Sequence, residues 1–341
     1  MRKYLLPEKG NFYKANLHCH SQVSDGAYTA LELKELYMKE GYSIIAYTDH
    51  SLLIPHHKEL SDENFLALNG FEWDVGESGK APGRNKCLHI CLIALEEDNF
   101  IAPCWNREEI RNLKGNGEKY RDLVKFDESL PDFEKEYTAE CINKAIKNAR
   151  NTGFFVTYNH PVWSQEDYSN YMSYENMNAM EICNYACIAE GWYDYNPKIY
   201  DDILRSGKKI YAIAADDNHN FGGNLYDSFG GYTVIKAEKL QYRTITKALE
   251  EGNFYASQGP EIRALWYENG KIHIECSDAE YIDFNFGIMH AKRFRAEKNG
   301  VINMAECEVP PHSVYVRVTV WDKYGKPADT NAYFVEDLNK E

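Results

Sequence analysis

The stretch Asn16-Leu17-His18-Cys19-His20, continued by Ser24-Asp25-Gly26, decides how this sequence is interpreted. It follows an extended run and precedes the start of a helix. Residues two apart on a β-strand point to the same face, so His18 and His20 direct two imidazoles at one place. Imidazole is the commonest metal ligand in proteins. A lone His-x-His pair is only weak evidence for a metal site, because two ordinary histidines can have the same spacing. The metal hypothesis therefore depends on partners further along the chain.

The length and charge of the chain limit the classes of function. Its 341 residues are enough for a large core and one or two domains. The net charge of −15 argues against a general nucleic-acid or anionic-membrane surface. A phosphorylated small-molecule substrate stays compatible, because bound divalent cations reverse the local field. The sequence makes no prediction of oligomeric state.

The start of the chain and its cysteines predict a cytoplasmic protein. Residues 1–10 contain no apolar segment of the signal-peptide type, and the chain has no run of eighteen apolar residues that would span a membrane. The nine cysteines include no Cys-x-x-Cys pair. We therefore expect scattered, reduced thiols, which pack as small hydrophobic groups.

Helix and strand signals alternate along the first 250 residues. Thr29-x-x-Glu32 matches a capping box, and Gly41 ends the helix that it opens. The apolar run from Ser43 to Thr48 then reads as a strand, closed by Asp49-His50. This rhythm predicts an α/β fold with a mostly parallel sheet. Titratable residues recur where strands end, as in α/β barrels, so we favour an irregular barrel.

Two regions interrupt the rhythm. The polar segment 96–137 is predicted to be an insertion, either a lid or a solvated surface excursion. After residue 258 the helix signals stop, and short alternating strands are separated by Asn269-Gly270 and Asn299-Gly300 turns. We therefore predict a barrel domain over residues 1–258 and a small β-sandwich over residues 259–341.

Nine imidazoles and carboxylates near predicted strand ends form the candidate metal site. Such nitrogen and oxygen ligands suit Zn²⁺, Mn²⁺ and Fe²⁺. One tetrahedral ion uses only four ligands, so two or three divalent ions fit the set better, with a carboxylate such as Glu72 bridging. The candidate ligands are His18, His20, Asp25, His50, Glu72, His89, His160, Asp217 and His219.

Each candidate also has an ordinary interpretation. His89 and His160 could be core histidines that satisfy backbone groups. Asp49 is expected to orient or hydrogen-bond a ligand rather than bind metal, because ligating histidines need a supporting carboxylate. Arg84, in the loop Gly83–Lys86, is a candidate phosphate clamp, and an exposed loop cation is the alternative.

Seven motifs occur in an order that resembles the PHP (polymerase and histidinol phosphatase) superfamily of metal-dependent phosphoesterases. The resemblance spans roughly residues 11 to 255. It implies a distorted (β/α)7 TIM-like barrel that holds up to three metal ions. The motifs are Leu17-His18-Cys19-His20, Ser24-Asp25-Gly26, Thr48-Asp49-His50, Gly70-Phe71-Glu72, Leu88-His89, Asn159-His160-Pro161 and Asp217-Asn218-His219.

The resemblance also implies a division of the ligands among three ions. The first ion would take His18, His20, Glu72 and Asp217; the second Glu72, His89 and His160; the third Asp25, His50 and His219. Asn16 stands where the family often has Asp, which changes a supporting contact. The tail after the barrel is similar to that of a subgroup of which some members hydrolyse carbamates or esters.

Three functions are compatible with these residues. The first is hydrolysis of a small-molecule phosphate monoester or diester by a metal-activated hydroxide at a di- or trinuclear site, with Asp49 and Arg84 as supporting catalytic residues. The second is hydrolysis of a carboxylic or carbamic ester at the same site, which requires no cationic clamp. The third is an inactive metal scaffold whose β-domain binds a glycan or a protein through aromatic residues such as Trp266 and Trp321.

Overall fold

The structure is a computed structural model that describes residues 2–81, 83–107, 117–298 and 300–340. The first part of the chain alternates between strands and helices. Its elements are β1 (Lys3–Tyr4), β2 (Asn11–Asn16), α1 (Ala30–Lys39), β3 (Ile44–Tyr47), α2 (His57–Leu60), β4 (Leu66–Gly76), β5 (Cys87–Ala94), α3 (Glu118–Tyr120), α4 (Ala139–Asn151), β6 (Phe154–Tyr158), α5 (Tyr168–Tyr171), β7 (Ala179–Asn184), α6 (Tyr185–Ala189), α7 (Pro197–Arg205), β8 (Tyr211–Ala215), β9 (Tyr232–Ala237), α8 (Tyr242–Glu251) and β10 (Phe254–Ser257).

The last part is built mainly from strands. Its elements are β11 (Ile262–Glu268), β12 (Lys271–Ala279), β13 (Tyr281–Ile288), β14 (His290–Arg295), β15 (Ile302–Glu308), β16 (Tyr315–Trp321), β17 (Pro327–Thr330), β18 (Tyr333–Phe334) and α9 (Val335–Leu338). Within the described ranges, none of the helices has the length and apolar character of a membrane-spanning segment.

The helix signals in the sequence are confirmed. The Thr29 side chain accepts a hydrogen bond from the backbone of Glu32, and the Glu32 carboxylate accepts one from the backbone of Thr29, which completes the capping box of α1. Helix α4 begins after Thr138, whose side chain accepts from the backbone of Cys141. Helix α8 ends at Gly252, whose φ of 71° suits a residue without a side chain.

Strands β2 to β8 form a continuous mixed sheet. β2, β3 and β4 are parallel, and so are β6, β7 and β8. β5 is antiparallel to both of its neighbours, β4 and β6. The prediction of an α/β fold is confirmed, but the sheet is mixed, because the β4–β5 and β5–β6 connections reverse the chain.

The two ends of this seven-strand run meet at one point. The Asp217 amide donates to the His18 carbonyl at 2.9 Å, and the His20 amide donates to the Asn218 carbonyl at 3.2 Å. These bonds form an isolated bridge and do not extend into a ladder. No closed barrel is detected among the described residues, so the predicted (β/α)7 barrel is not confirmed. The contact nevertheless brings the His18 and Asp217 motifs together.

The C-terminal strands do not form a detached sandwich. β17 pairs with β10, so β13, β14, β16 and β17 continue the main sheet. A second, four-stranded sheet has the order β1-β11-β12-β15, and it recruits the N-terminal residues Lys3 and Tyr4. The two sheets share a core that includes Ile272, Phe284 and Val318. A separate β-sandwich over residues 259–341 is therefore not confirmed.

Two turn and loop predictions have different outcomes. The Asn269-Gly270 turn joins β11 to β12 and has φ values of 52° and 80°, as a tight hairpin requires. Asn299 of the second predicted turn lies outside the described residues. In the predicted insertion, residues 96–107 and 117–137 are described. Ala102, Val124 and Phe133 of this segment are buried in the main core, so its described part is not a wholly solvated excursion.

Candidate metal centre

The nine predicted ligands converge at one edge of the main sheet. Glu72, on β4, lies at the centre of the cluster and is fully buried. Its Oε1 atom lies 3.1 Å from His89 Nδ1, 3.2 Å from His18 Nε2 and 3.4 Å from His160 Nε2. Its Oε2 atom lies 2.9 Å from His50 Nδ1. One carboxylate therefore contacts four histidines from four different segments of the chain.

Asp217 is a second shared carboxylate. Its Oδ1 atom lies 3.0 Å from the Nε2 atoms of both His18 and His20, which are themselves 3.1 Å apart. Its Oδ2 atom lies 3.8 Å from His160 Nε2. The backbone of Asp217 is in the left-handed region, with a φ of 56°, a conformation that is uncommon for residues other than glycine. The surrounding hydrogen bonds hold this strained conformation.

Asp25 organises the outer part of the cluster. Its two oxygens lie 3.6 Å from His50 Nε2 and 3.6 Å from His219 Nε2. His20 Nδ1 lies 3.7 Å from the same carboxylate. Asp25 is part-exposed, whereas Glu72 is buried, so the cluster extends from the protein interior towards solvent.

Four overlapping groups of side chains could each hold a metal ion. The division implied by the family resemblance is only partly reproduced, because His20 joins the Asp25 group and His160 joins the Asp217 group. A cysteine also enters one group. The groups are His20–Asp25–His50–His219, His18–His160–Asp217, His18–Glu72–Cys91 and His50–Glu72–His89.

Three of the histidines are fixed through the ring nitrogen that faces away from the cluster. His18 Nδ1 lies 2.7 Å from Glu181 Oε1, and His160 Nδ1 lies 3.1 Å from Ser164 Oγ. His219 Nδ1 lies 2.9 Å from the carbonyl oxygen of Asp217. A metal-bound histidine characteristically uses its second nitrogen in this way, which sets the tautomer and orients the ring.

The donor set fits divalent cations. Two ligand atoms that are each about 2.1 Å from one ion lie about 3.0 Å apart at an octahedral angle and about 3.4 Å apart at a tetrahedral angle. The contacts of Glu72 with His18, His89 and His160 lie within this range. Among the described atoms, His50 Nδ1 and Glu72 Oε2 are buried without a hydrogen-bond partner, although they lie 2.9 Å apart. A shared cation would satisfy both.

The pKa values of the cluster reflect the same complementarity of charge. Burial raises the pKa of the Glu72 carboxyl, but the surrounding imidazoles, His89 foremost, outweigh burial and hold this pKa well below its ordinary value. For His160, burial lowers the pKa, whereas Glu72 and Asp217 raise it to about 9. In the metal-free protein, a proton on His160 therefore offsets part of the carboxylate charge, and a divalent cation would replace that proton.

Asp49 supports the loop that carries two ligands. It is buried, and its carboxylate accepts hydrogen bonds from the backbone and hydroxyl groups of both Ser21 and Ser24, at 2.8 to 3.1 Å. These residues lie between His20 and Asp25, so Asp49 fixes the path of the chain between them. Asp49 is not among the described residues that line the cavity beside the cluster.

Asn16 lies beneath the cluster in a buried polar network. Its side-chain oxygen accepts from the backbone of His18 and of Asp216, and its amide donates to Asn218. The amide also donates to the Tyr37 hydroxyl, which in turn donates to Asp216. Asn16 therefore links the first and last strands of the seven-strand run without contacting the cavity.

A cavity of about 180 Å³ opens beside the ligands. Within the described part of the chain, its lining contains no lysine or arginine. Arg84 is exposed in the β4–β5 loop and is not among the lining residues, so its predicted role as a phosphate clamp stays a prediction. Besides seven of the candidate ligands, the lining consists of Trp163, Ala186, Cys187, Glu190 and Phe221.

Sequence reasoning missed several of these residues. Glu181 is fully buried on β7 in the run Ala-Met-Glu-Ile-Cys-Asn. A single carboxylate in an apolar strand could have been recognised, because a buried charge needs a partner. Cys91 pairs with Glu72 across β4 and β5, and its sulfur accepts from Asn159 at 3.1 Å. Trp163 carried no signal that distinguishes it from a core aromatic residue.

Comparisons with known proteins give partial matches. No protein-family model matches the chain. DNA polymerase/3′-5′ exonuclease PolX of Bacillus subtilis, a PHP-domain polymerase, is 35% identical over 83 residues, which cover 19% of this chain and 15% of that protein. The uncharacterized protein MJ1054 of Methanocaldococcus jannaschii is 24% identical over 245 residues, 67% of this chain and 25% of that protein. The chain thus spans a quarter or less of the curated relatives that it matches.

A similar fold occurs in a solved two-domain protein of Bacteroides vulgatus that contains a predicted PHP-like metal-dependent phosphoesterase. The match has a TM-score of 0.45 at 14% identity and covers 94% of both chains. The ordered motifs of the chain bring their side chains together in space at the candidate metal centre. These observations, together with the sequence match to PolX, support the assignment of this chain to the PHP superfamily.

Proposed function

We propose that this protein is a metal-dependent hydrolase that cleaves a phosphate monoester or diester of a small molecule, with two or three divalent ions, Mn²⁺, Zn²⁺ or Fe²⁺, as its cofactors. The observation that carries the proposal is the position of Glu72. Its buried carboxylate lies within 3.4 Å of ring nitrogens of four histidines, and each of its oxygens serves a different side of the cluster. Such a carboxylate is suited to bridge two ions.

The candidate ligands would occupy different positions around the ions. Glu72 and Asp217 would supply the shared negative charge, and His18, His20, His89 and His160 would complete the inner positions. Asp25, His50 and His219 would hold the most accessible ion, because this group lies nearest to solvent. When bound, the ions would supply a water of lowered pKa and positive charge for the oxygens of the substrate.

The remaining residues of the site keep these groups in place. Glu181 holds the ring of His18, and Ser164 holds the ring of His160. Asp49 fixes the loop between His20 and Asp25. Trp163 and Phe221 form part of the cavity wall. The thiol of Cys187 borders the cavity, but burial raises its pKa and disfavours the thiolate, so the attacking group in this proposal is water.

A metal and activity assay tests the proposal. The protein, purified anaerobically, is analysed for metal and assayed on a panel of phosphate esters with Mn²⁺, Zn²⁺ or Fe²⁺. We expect His20→Ala to lose bound metal and turnover. His290→Ala is the matched control, because His290 is exposed on β14 in the C-terminal part of the chain. Equal turnover by the wild-type protein and by His20→Ala would reject the assignment.

A carboxylic or carbamic ester is the second candidate substrate, and the cavity supplies its support. Among the described residues that line the cavity, none is cationic, whereas a phosphate site often contains an arginine. A comparison of p-nitrophenyl phosphate with p-nitrophenyl acetate, corrected for a metal-free blank, separates the two candidates. If Arg84 reaches the phosphate during turnover, Arg84→Ala will raise KM for the phosphate ester and leave KM for the acetate ester unchanged.

The third candidate, an inactive scaffold with a binding β-domain, has less support. The tail aromatic residues that would bind a partner already have partners within the chain. Trp266 stacks on His273 at 4.9 Å, and the indole of Trp321 donates to Asp283 at 3.0 Å. We further propose a cytoplasmic location, which the scattered cysteines support, and a small-molecule substrate. The net charge of the chain supports the proposal that neither nucleic acid nor membrane is a partner.

A further inference from the structure

Two aromatic side chains and one carboxylate border the cavity without being candidate ligands. They are Trp163, Phe221 and Glu190, and they come from three separate loops or helix ends. A group of this kind beside a reactive centre is positioned to contact the part of a substrate that does not react. The nature of these side chains therefore indicates the chemistry of that part.

Trp163 is held in a fixed position against two ligand rings. Its ring lies 5.0 Å from that of His160 and 5.5 Å from that of His89, with interplanar angles of 80° and 63°. Its backbone amide donates to the buried carboxylate of Asp194 at 2.9 Å. The turn that carries it is closed by the bond from the Ser164 amide to the His160 carbonyl, at 3.0 Å. Trp163 is therefore preorganised, so a ring bound beside it costs little ordering entropy.

Phe221 packs against a different ligand. Its ring stacks on that of His219, with centroids 5.1 Å apart and planes 27° apart. Half of its surface is exposed, although it borders the cavity. A phenyl group left in solvent at the mouth of a cavity gains free energy when an apolar ring covers it. The cavity therefore carries aromatic faces over two different parts of the ligand cluster.

The charge of the cavity limits what such a ring can carry. Asp25, Glu72 and Asp217 are candidate ligands, whose charge bound ions would neutralise. Glu190 is not a candidate ligand, and the described lining residues include no lysine or arginine. A negatively charged substituent on the substrate would therefore be repelled by Glu190.

We propose that the site takes esters whose alcohol portion contains a planar aromatic ring without negative charge, held between Trp163 and Phe221, with Glu190 excluding anionic substituents. This inference rests on the proposed hydrolase function and extends it to the class of substrate.

Kinetics on two matched esters test the ring contact. Benzyl phosphate and ethyl phosphate have leaving alkoxides of similar basicity, so they differ mainly in the ring. We expect Trp163→Ala to raise KM for benzyl phosphate about tenfold more than KM for ethyl phosphate. Trp163→Phe should restore most of the difference. Trp192→Phe is the control, because Trp192 is exposed and is not among the described lining residues.

A second variant tests the charge. Glu190→Gln should lower KM for 4-carboxybenzyl phosphate and leave KM for benzyl phosphate unchanged. If Glu190→Gln changes neither value, or if Trp163→Ala raises both KM values equally, the inference is overturned while the hydrolase function stands.

Binding measurements separate this inference from the function on which it rests. Benzylphosphonate, which cannot be hydrolysed, is titrated into the metal-loaded wild-type protein and followed by tryptophan fluorescence. Quenching that disappears in Trp163→Phe and persists in Trp192→Phe supports the ring contact, even if no phosphate ester is turned over. Turnover of phosphate esters without such quenching, and without preference for the ring in any variant, would overturn the inference alone.

Discussion

His18 and Glu181 form a buried pair in which Nδ1 of the imidazole lies 2.7 Å from Oε1 of the carboxylate, and neither side chain is exposed to solvent. The other oxygen of Glu181 accepts from the backbone amide of His160 and from the side-chain amide of Asn184, both at 2.8 Å. One carboxylate on β7 therefore orients two candidate ligands from different motifs, although it is itself outside the ligand set.

Replacement of Glu181 by glutamine is expected to weaken metal binding about tenfold to a hundredfold, the usual cost of losing a supporting group. The amide oxygen can still accept from His18, but the amide nitrogen cannot accept the hydrogen bond from His160. Competition with a chromogenic chelator measures the affinity. Glu175→Gln is the control, because Glu175 is exposed and pairs with Lys208 at the surface. Unchanged affinity in Glu181→Gln would show that His18 needs no such support.

Glu72 and Asp25 are expected to differ in the number of ions that depend on them. Glu72 touches histidines of several candidate groups, whereas Asp25 belongs to one. Glu72→Gln should therefore lower the metal stoichiometry by more than one ion per chain, and Asp25→Asn by at most one. Elemental analysis after gel filtration gives both numbers. Equal losses would mean that Glu72 does not bridge.

Asp49 is expected to contribute to stability as well as to metal binding. Asp49→Ala would leave four hydrogen-bond donors of Ser21 and Ser24 without their acceptor, and we expect a loss of about 3 kcal/mol in the free energy of unfolding. Asp49→Asn keeps one acceptor oxygen and should lose less. Urea denaturation of the metal-free proteins measures both, with the exposed Asp98→Asn as control. A loss no larger in Asp49→Ala than in Asp98→Asn would contradict this role.

The metal-free protein should lose stability as the pH rises above neutrality. Burial lowers the pKa of His160, but Glu72 and Asp217 raise it to about 9, above its ordinary value of 6.5. The stabilisation is therefore complete below pH 6.5 and disappears as the pH passes through 9. Thermal denaturation in the presence of a chelator should show a falling Tm in this window. His160→Gln should show a smaller fall, and so should the metal-loaded protein, in which His160 binds as the neutral imidazole.

Part of the candidate ligand set follows from short-range rules in the sequence, and the rest depends on the resemblance to the PHP motifs. His18 and His20 are two residues apart at the end of a strand, and so share a face; Asp217 and His219 have the same spacing. The structure brings all nine predicted side chains into one cluster. Their division among ions could not be predicted, because it depends on differences of a few tenths of an ångström between loops that are distant in sequence.

Less of the architecture could be predicted from the sequence. The direction of β5 is set by the connections on either side of it, and an apolar strand looks the same whether its neighbours are parallel or antiparallel. Lys3 and Tyr4 pair with β11 across more than 260 residues of sequence. A strand of two residues carries no local signal for such a pairing. The supporting role of Glu181 was not predicted, because the role of a single acidic residue in a strand is clear only when its partner is known.

Strand β10 pairs with β17, with Tyr255 opposite Thr330, and this pairing affects how the chain folds during synthesis on the ribosome. One edge of β10 stays unpaired until residues close to position 330 have emerged from the exit tunnel. We therefore expect nascent chains that stall before this point to expose unpaired backbone groups of β10, and to depend on chaperones until β17 has been synthesised.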